Sequence, residues 1–381
     1  MFSTSVGSVE LVTPLLLASG YITETPEFYL RAQPEGCSGI VTRSLKKNVP
    51  PERERIPVPR YAMHGRDSML NCEWGNERPW TQWRDIGIPA VKKAGGPIIL
   101  SLSGRDPVGC VELMHEFDAI GVDAYEVNVS CSHSGVLHGN LNVDIEHLES
   151  LMHVIRPATE TPIWVKLSYS TQLVLMGMTA ERLGANAIVC TNSIGPGMLI
   201  DTSTGRSKLG IMGGGGGLTG RAIFPIALWC VHQLAQNLAI PIVGCGGIST
   251  AEHAVQMMMA GASALQLYTA PALHGPRVFR RIMSGFERFL AQHPEYDSLR
   301  ALKNVTAPHT VEHHFSSPPP VVIDERCTGC TLCVEACAFD ALSLVMRENG
   351  KLLAVIEDNC VSCNACVGAC PPKFDAIRAS F

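Results

Sequence analysis

Short apolar runs rich in Ile, Val and Leu recur along the chain, and longer stretches with apolar residues at helical spacing separate them. Eight such runs stand out: Leu15 to Ala18, Ile40 to Arg43, Ile98 to Leu102, Ala124 to Val129, Ile163 to Leu167, Ala187 to Cys190, Ile242 to Gly244 and Ala264 to Tyr268. The first includes the end of the N-terminal stretch MFSTSVGSVELVTPLLLASG, which reads as one initial strand. Intervening stretches such as Ala222 to Leu238 and Ala251 to Ala260 carry the helical pattern and are bounded by Gly or Pro. Repeated alternation of strand and helix predicts an α/β fold, a (β/α)8 TIM barrel over residues 1–308, with an open doubly wound sheet as the structural alternative.

Polar and glycine-rich residues fall just after these runs, at Ser19-Gly20, Arg43-Ser44, Asn128 to His133, Lys166, Thr191 to Ser193, Gly246-Gly247 and Thr269. Barrel active sites are built at the carboxyl ends of the strands, so this is where chemistry is expected. Near residue 309 the pattern stops. The segment HTVEHHFSSPPP, residues 309–320, cannot continue a helix and reads as an extended spacer, leaving residues 321–381 as a second, smaller unit.

Cysteine usage gives the second unit a chemistry. Eight of the fifteen cysteines lie in two CxxCxxCxxxC runs, Cys327 to Cys337 and Cys360 to Cys370. This is the spacing of a bacterial-type ferredoxin with two 4Fe-4S clusters, in which the fourth cysteine of each run ligates the other cluster. Cys327, Cys330, Cys333 and Cys370 are therefore expected to hold one cluster, and Cys337, Cys360, Cys363 and Cys366 the second. Alanine follows Cys337 where the motif has proline, and structural zinc is the alternative occupant. Clusters move single electrons, so the barrel needs a carrier that takes one electron at a time and delivers two, which is a flavin. The run Gly213 to Gly217 and the turn Gly244 to Gly247 are expected to cradle its phosphate, followed by Thr269 after the last strand. A nicotinamide site is not expected: Gly215 to Gly220 matches GxGxxG formally, but no Asp or Glu occurs from Arg221 to Thr250 to hold a ribose.

Charge narrows the partners. Thirty basic against thirty-five acidic residues give a net charge of -5, with no basic run suited to nucleic acid or to a membrane surface. The N-terminus lacks a signal-peptide pattern, and the cluster cysteines imply a reducing, cytoplasmic setting.

The segment VNVSCSH, Val127 to His133, resembles the active-site loop of the dihydropyrimidine and dihydroorotate dehydrogenase families. Val41 to Ser44, Leu70-Asn71, Val165 to Leu167, Thr191 to Gly195, Leu218 to Ile223 and Gly246 to Ile248 match in the same order, so the resemblance spans nearly the whole chain. A ferredoxin unit fused after the barrel is similar in particular to the dihydropyrimidine dehydrogenases, including the bacterial catalytic subunit. The resemblance implies an FMN enzyme that interconverts a pyrimidine and its 5,6-dihydro form. Hydride passes at FMN N5, a proton passes at Cys131, and the clusters carry the electrons. It implies substrate contacts from Asn71, Asn128, Ser130, His133, Asn192 and Ser193. FMN contacts are implied from Ala18, Ser19, Gly20, Arg43, Ser44, Lys166, Thr191, Gly217, Thr219, Gly220, Gly246, Gly247, Tyr268 and Thr269.

Four features bear on the substrate. Arg43 replaces the usual lysine, Ser132 replaces a proline, and His133 matches the dihydropyrimidine type, whereas Asn192 to Gly195 looks more like a dihydroorotate enzyme. Dihydroorotate, or another conjugated cyclic compound, is thus the alternative substrate, and an electron-transfer subunit with an inert barrel is the alternative of another class. A separate NAD(P)-oxidising flavoprotein subunit or a ferredoxin is the implied electron partner, in a homodimer or hetero-oligomer.

Overall fold

The computed structural model describes residues 2–47, 59–73, 76–130, 145–210, 213–306 and 318–380. The chain divides into two compact units, Met1–His309 and Thr310–Phe381. Most of the expected spacer, residues 309–317, lies outside the described residues.

In the first unit, eight parallel strands close into a barrel in chain order. They are β1 (Leu15–Leu17), β2 (Gly39–Val41), β3 (Ile98–Ser103), β4 (Ala124–Asn128), β5 (Ile163–Leu167), β6 (Ala187–Cys190), β7 (Ile242–Cys245) and β8 (Ala262–Leu267). Closure is made by β8 pairing with β1, Leu265 opposite Leu15. Each strand is buried on both faces, which is why the sequence shows nearly unbroken apolar runs here. The outer ring carries α1 (Glu27–Ala32), α2 (Ile88–Ala94), α3 (Pro107–Asp118), α4 (Ile145–Ile155), α5 (Leu173–Arg182), α6 (Phe224–Asn237), α7 (Ala251–Met259) and α8 (Arg277–Gln292). Local chemistry marks their starts: Asp106 caps α3 by accepting from the Gly109 amide, and Thr250 caps α7 by accepting from that of His253.

Side chains alternate across each strand, so every second residue enters the barrel. The deeper interior layer is apolar and includes Leu16, Val41, Ile99, Ala124, Trp164, Val243 and Ala264. Val6, Val9 and Leu11 pack against it from a hairpin of Thr4–Val6 and Val9–Leu11. This corrects the expectation of a single initial strand: Gly7, at φ 60°, folds the N-terminus back on itself before β1 begins. Burying each such side chain is worth about 1.5–3 kcal/mol, so the hairpin is a stabilising floor to the barrel.

The next expectation to change concerns the glycine run. Of the run Gly213 to Gly217, Gly213 to Gly215 lie outside any strand, whereas Gly216 and Gly217 begin the strand Gly216–Gly220, within an antiparallel sheet with Ser68–Asn71, Tyr61–Met63 and Ile194–Gly197. All four strands belong to the connections that leave the carboxyl ends of β2 and β6. Close approach explains the composition: a Cβ on Gly216 would lie 2.5 Å from the Asn71 carbonyl oxygen.

In the second unit, Val321–Val322 pairs with Ile377–Arg378 and Leu342–Met346 with Leu352–Ile356, beside the short helices Leu332–Glu335 and Ala365–Ala369. Its core is small, with Leu342, Leu353, Ala354, Ala376 and Ile377 packed around Cys327, Cys333 and Cys366. Among the described residues no helix is long and apolar enough to cross a membrane.

Candidate active site

One step further along the strand alternation, the barrel interior turns from apolar to charged. Glu126 on β4, Lys166 on β5 and Gln266 on β8 follow Ala124, Trp164 and Ala264 by two residues, so they project to the same side one layer nearer the carboxyl ends. Lys166 Nζ lies 3.1 Å from Glu126 Oε1 and donates to Gln266 Oε1 at 3.3 Å, while Gln266 Nε2 donates to Glu126 Oε2 at 2.7 Å. Burial alone would lower the Lys166 pKa, but the Glu126 carboxylate outweighs it, and the ammonium is held above its ordinary range. Cys245, at the end of β7 nearby, is pushed up by burial and stays a thiol.

Above this layer opens a cleft of about 550 Å³, which includes space open to solvent. Its walls use Ala18, Ser19, Lys166, Thr191, Asn192, Ser193, Thr219, Gly220, Gly246, Gly247, Tyr268 and Thr269, all expected from the sequence. Gly246 and Gly247 have φ of 116° and 75°, and a Cβ on Gly247 would lie 2.7 Å from the Phe224 backbone nitrogen. Only glycine fits this turn, which presents backbone to the cleft beside the start of the short helix Thr269–His274. Loops after the seventh and eighth strands joined by a short extra helix are the usual phosphate site of a barrel.

The polar residues expected to read a substrate converge beside the cleft. Asn192 Nδ2 donates to Asn128 Oδ1 at 3.1 Å and to the Ser130 carbonyl at 3.2 Å. Ser130 Oγ donates to the Lys166 carbonyl at 3.0 Å, and Ser193 N donates to Asn192 Oδ1 at 2.8 Å. Ser44 joins through Asn128 Nδ2 at 3.5 Å and Ser101 Oγ at 2.9 Å. Asn71 sits on the neighbouring sheet, its Nδ2 donating to the Gly217 carbonyl at 3.1 Å. Cys131 and His133 lie outside the described residues.

Several expected FMN contacts are not in the wall. Gly217 is held within the antiparallel sheet, and the wall there is made by Thr219 and Gly220. Gly20 packs behind it, where a Cβ would strike the Tyr268 ring at 2.3 Å. Arg43 is buried against Glu24 and Glu73, with Nη1 2.8 Å from Glu24 Oε2 and Nη2 3.8 Å from Glu73 Oε2. The Tyr61 and Tyr268 hydroxyls both donate to Glu73 Oε1. Burial first, and the Glu73 carboxylate second, raise both phenols above their ordinary range.

Sequence reasoning missed Glu126, Gln266, Glu24, Glu73 and Tyr61. For Glu126 and Gln266 a signal was present, because each is a polar residue at an inward position of an otherwise apolar strand. Glu24, Tyr61 and Glu73 lie in connections, where carboxylates and tyrosines are ordinary, and only folding brings them to Arg43 and Tyr268.

The second unit contains two cavities lined by cysteines. Cys337, Cys360, Cys363 and Cys366 line the first, and Cys327, Cys330, Cys333 and Cys370 the second. Each cavity thus takes three thiols from one run and the fourth from the other. Backbone amides of Ala341, Ser362 and Ala376 donate to the sulfurs of Cys337, Cys360 and Cys370 at 3.3, 3.4 and 3.3 Å, a donor pattern suited to anionic sulfur.

Comparison with known proteins agrees with this geometry. Residues 1–290 match the dihydroorotate dehydrogenase family model, and residues 320–378 match the 4Fe-4S dicluster domain. The chain is 30% identical over 296 residues to the dihydroorotate dehydrogenase B (NAD(+)) catalytic subunit of Thermococcus kodakarensis, covering 76% of this chain and 93% of that relative. The corresponding subunit of Pyrococcus furiosus is 32% identical over 73% of this chain and 90% of its own length, and that of Thermoplasma acidophilum 32% over 76% and 93%. The chain therefore belongs to the dihydroorotate dehydrogenase family, and it is an oxidoreductase whose barrel is joined to a 4Fe-4S dicluster domain.

Proposed function

We propose that the chain interconverts a pyrimidine ring and its 5,6-dihydro form, with FMN in the barrel cleft and a 4Fe-4S cluster in each cavity of the second unit. The observation that carries this reading is the meeting of Asn128, Ser130, Asn192 and Ser193 at the ends of β4 and β6, beside Lys166 in the cleft wall. Each amide offers both donor and acceptor, which matches the alternating C=O and N–H edge of a pyrimidine.

The residues present fit FMN. Gly246, Gly247 and Thr269 suit its phosphate, and Lys166 supplies a buried positive charge at the cleft's inner wall. When bound, FMN supplies a centre that exchanges two electrons with a ring carbon pair and single electrons with iron-sulfur clusters. Glu126 and Gln266 hold the Lys166 ammonium in one orientation, so its charge is fixed before substrate arrives. Asn128 and Asn192 orient the ring. Cys131, the residue after Ser130, is the proposed proton donor to ring carbon, since an ordinary thiol with pKa about 8.5 is protonated at neutral pH.

The relatives are named as NAD(+)-linked catalytic subunits. In line with that, and with the lack of a ribose-binding acid after the glycine run, we assign the supply or removal of electrons to a separate NAD(P)-oxidising flavoprotein subunit or to a ferredoxin. NADH alone is expected to leave the isolated protein oxidised.

By descent, dihydroorotate is the first substrate to test. A dihydropyrimidine is the second, favoured by the fused dicluster unit: a match taking up 93% of the Thermococcus relative leaves no room there for such a unit. The deciding experiment is anaerobic titration of the holoenzyme with dihydroorotate, dihydrouracil and dihydrothymine while flavin absorbance is followed. Bleaching by any of them supports the reading, and no response to all three refutes it. The two substrate types differ by one carboxylate, so charge beside the cleft separates them.

A further inference from the structure

We infer that Glu24 and Glu73, by neutralising Arg43, make the site select a pyrimidine ring without a carboxylate. This rests on the reading of the barrel as a pyrimidine oxidoreductase and specifies its substrate class.

Arg43 follows the end of β2 and is 2% exposed. Its guanidinium meets two carboxylates, Glu24 at 2.8 Å and Glu73 at 3.8 Å, which are only 11% and 10% exposed. Neither is free to swing away. Glu24 Oε1 accepts from the Glu77 and Arg78 amides at 3.0 and 2.9 Å, and Glu73 Oε1 accepts from the Tyr61 and Tyr268 hydroxyls, which lie 3.1 Å apart. The cluster also touches both parts of the site. Tyr268 is in the cleft wall, and Ser44, next to Arg43 in the chain, meets Asn128 of the amide group.

One positive charge against two negative ones leaves this end of the site with a net negative charge. Arg43 and Lys166 are the buried basic residues among those described, and Lys166 is matched by Glu126. Nearby Lys47 and Arg60 are paired with Glu116 and Glu77, and Arg221 stands near His253 at the Gly247 end of the cleft. A ring carboxylate brought beside the Arg43 cluster would be a third anion around one guanidinium. At ~8 Å from one uncompensated charge in a partly screened site, repulsion weakens binding by tenfold or more. A neutral carbonyl meets no such penalty.

The test is isothermal titration of the full-length holoenzyme with uracil, orotate and orotamide, the uncharged amide with the shape of orotate. Uracil and orotamide are expected to bind at least tenfold more tightly than orotate. Glu73→Gln, which keeps acceptors for the two tyrosines, is expected to raise orotate affinity by roughly tenfold and to change uracil affinity less than threefold. Glu24→Gln provides the same comparison if the first variant fails to fold. Orotate binding as tightly as uracil overturns the inference and leaves the pyrimidine reading standing. Orotamide rejected as strongly as orotate also overturns it, since shape would then be the discriminator. Unchanged orotate affinity in a folded charge-removing variant does the same. Binding of none of the three overturns the pyrimidine reading itself.

Discussion

Replacing Glu126 by Gln removes one charge from the barrel interior and leaves almost every atom in place. Glu126 is fully buried, and its partner Lys166 is 5% exposed at 3.1 Å. Breaking a buried pair by removing one partner costs about 3–5 kcal/mol, because the remaining charge is left uncompensated. Taking an unfolding entropy of about 2.1 cal/mol/K per residue over the 309-residue first unit, this lowers Tm by about 5–8 °C at pH 7. The pH dependence identifies the cause. In the parent protein the Lys166 pKa lies above its ordinary value, so the pair stabilises fully below about pH 10 and is lost only as pH rises through the raised value. In the variant, burial acts alone and depresses that pKa, so the folded state resists protonation. Its penalty is greatest at neutral pH and disappears as pH approaches the ordinary lysine value near 10.4. The gap in Tm between parent and variant should therefore narrow from pH 7 to pH 10. Thermal unfolding of the full-length protein by circular dichroism at several pH values measures it. The double variant Glu126→Gln with Lys166→Met should recover much of the loss, since no charge remains buried. A variant Tm within about 1 °C of the parent at pH 7, or a gap that widens toward pH 10, refutes the reasoning.

Other expected outcomes test the remaining parts of the site. Cys131→Ala should lower turnover by roughly 10² to 10⁴-fold with flavin content unchanged, which steady-state rates and flavin absorbance check together. The protein should carry about eight irons per chain, and Cys327→Ser and Cys370→Ser should abolish the same electron paramagnetic resonance signal, distinct from the one lost in Cys337→Ser and Cys360→Ser. Gly247→Ala forces a side chain into a position of φ 75° and against the Phe224 backbone, so it should cost about 1–3 kcal/mol and lower the flavin retained through gel filtration.

Much of this architecture is readable along the chain, because the periods of strands and helices are local properties. Each of the eight barrel strands overlaps one of the eight apolar runs, with ends shifted by up to two residues, and most of the cleft wall comes from the residues that follow them. Cysteine spacing alone anticipates the exchange of Cys337 and Cys370 between the two cavities. Other features depend on which segments meet. The end of the glycine run, Gly216-Gly217, looks like loop until Ser68–Asn71 pairs with Gly217 to Gly220 and holds it in a strand. The N-terminus becomes a hairpin because the barrel floor is apolar and needs Val6, Val9 and Leu11 to cover it. Charge is the clearest case. Glu24, Arg43, Glu73 and Tyr268 are separated by up to 207 positions from partners they touch, and nothing in their local sequence pairs them. Periodicity specifies which face of an element is buried. Coulomb attraction and hydrogen bonding act through space, so the company a buried charge keeps, and with it the kind of ligand it can accept, is decided only by the tertiary structure.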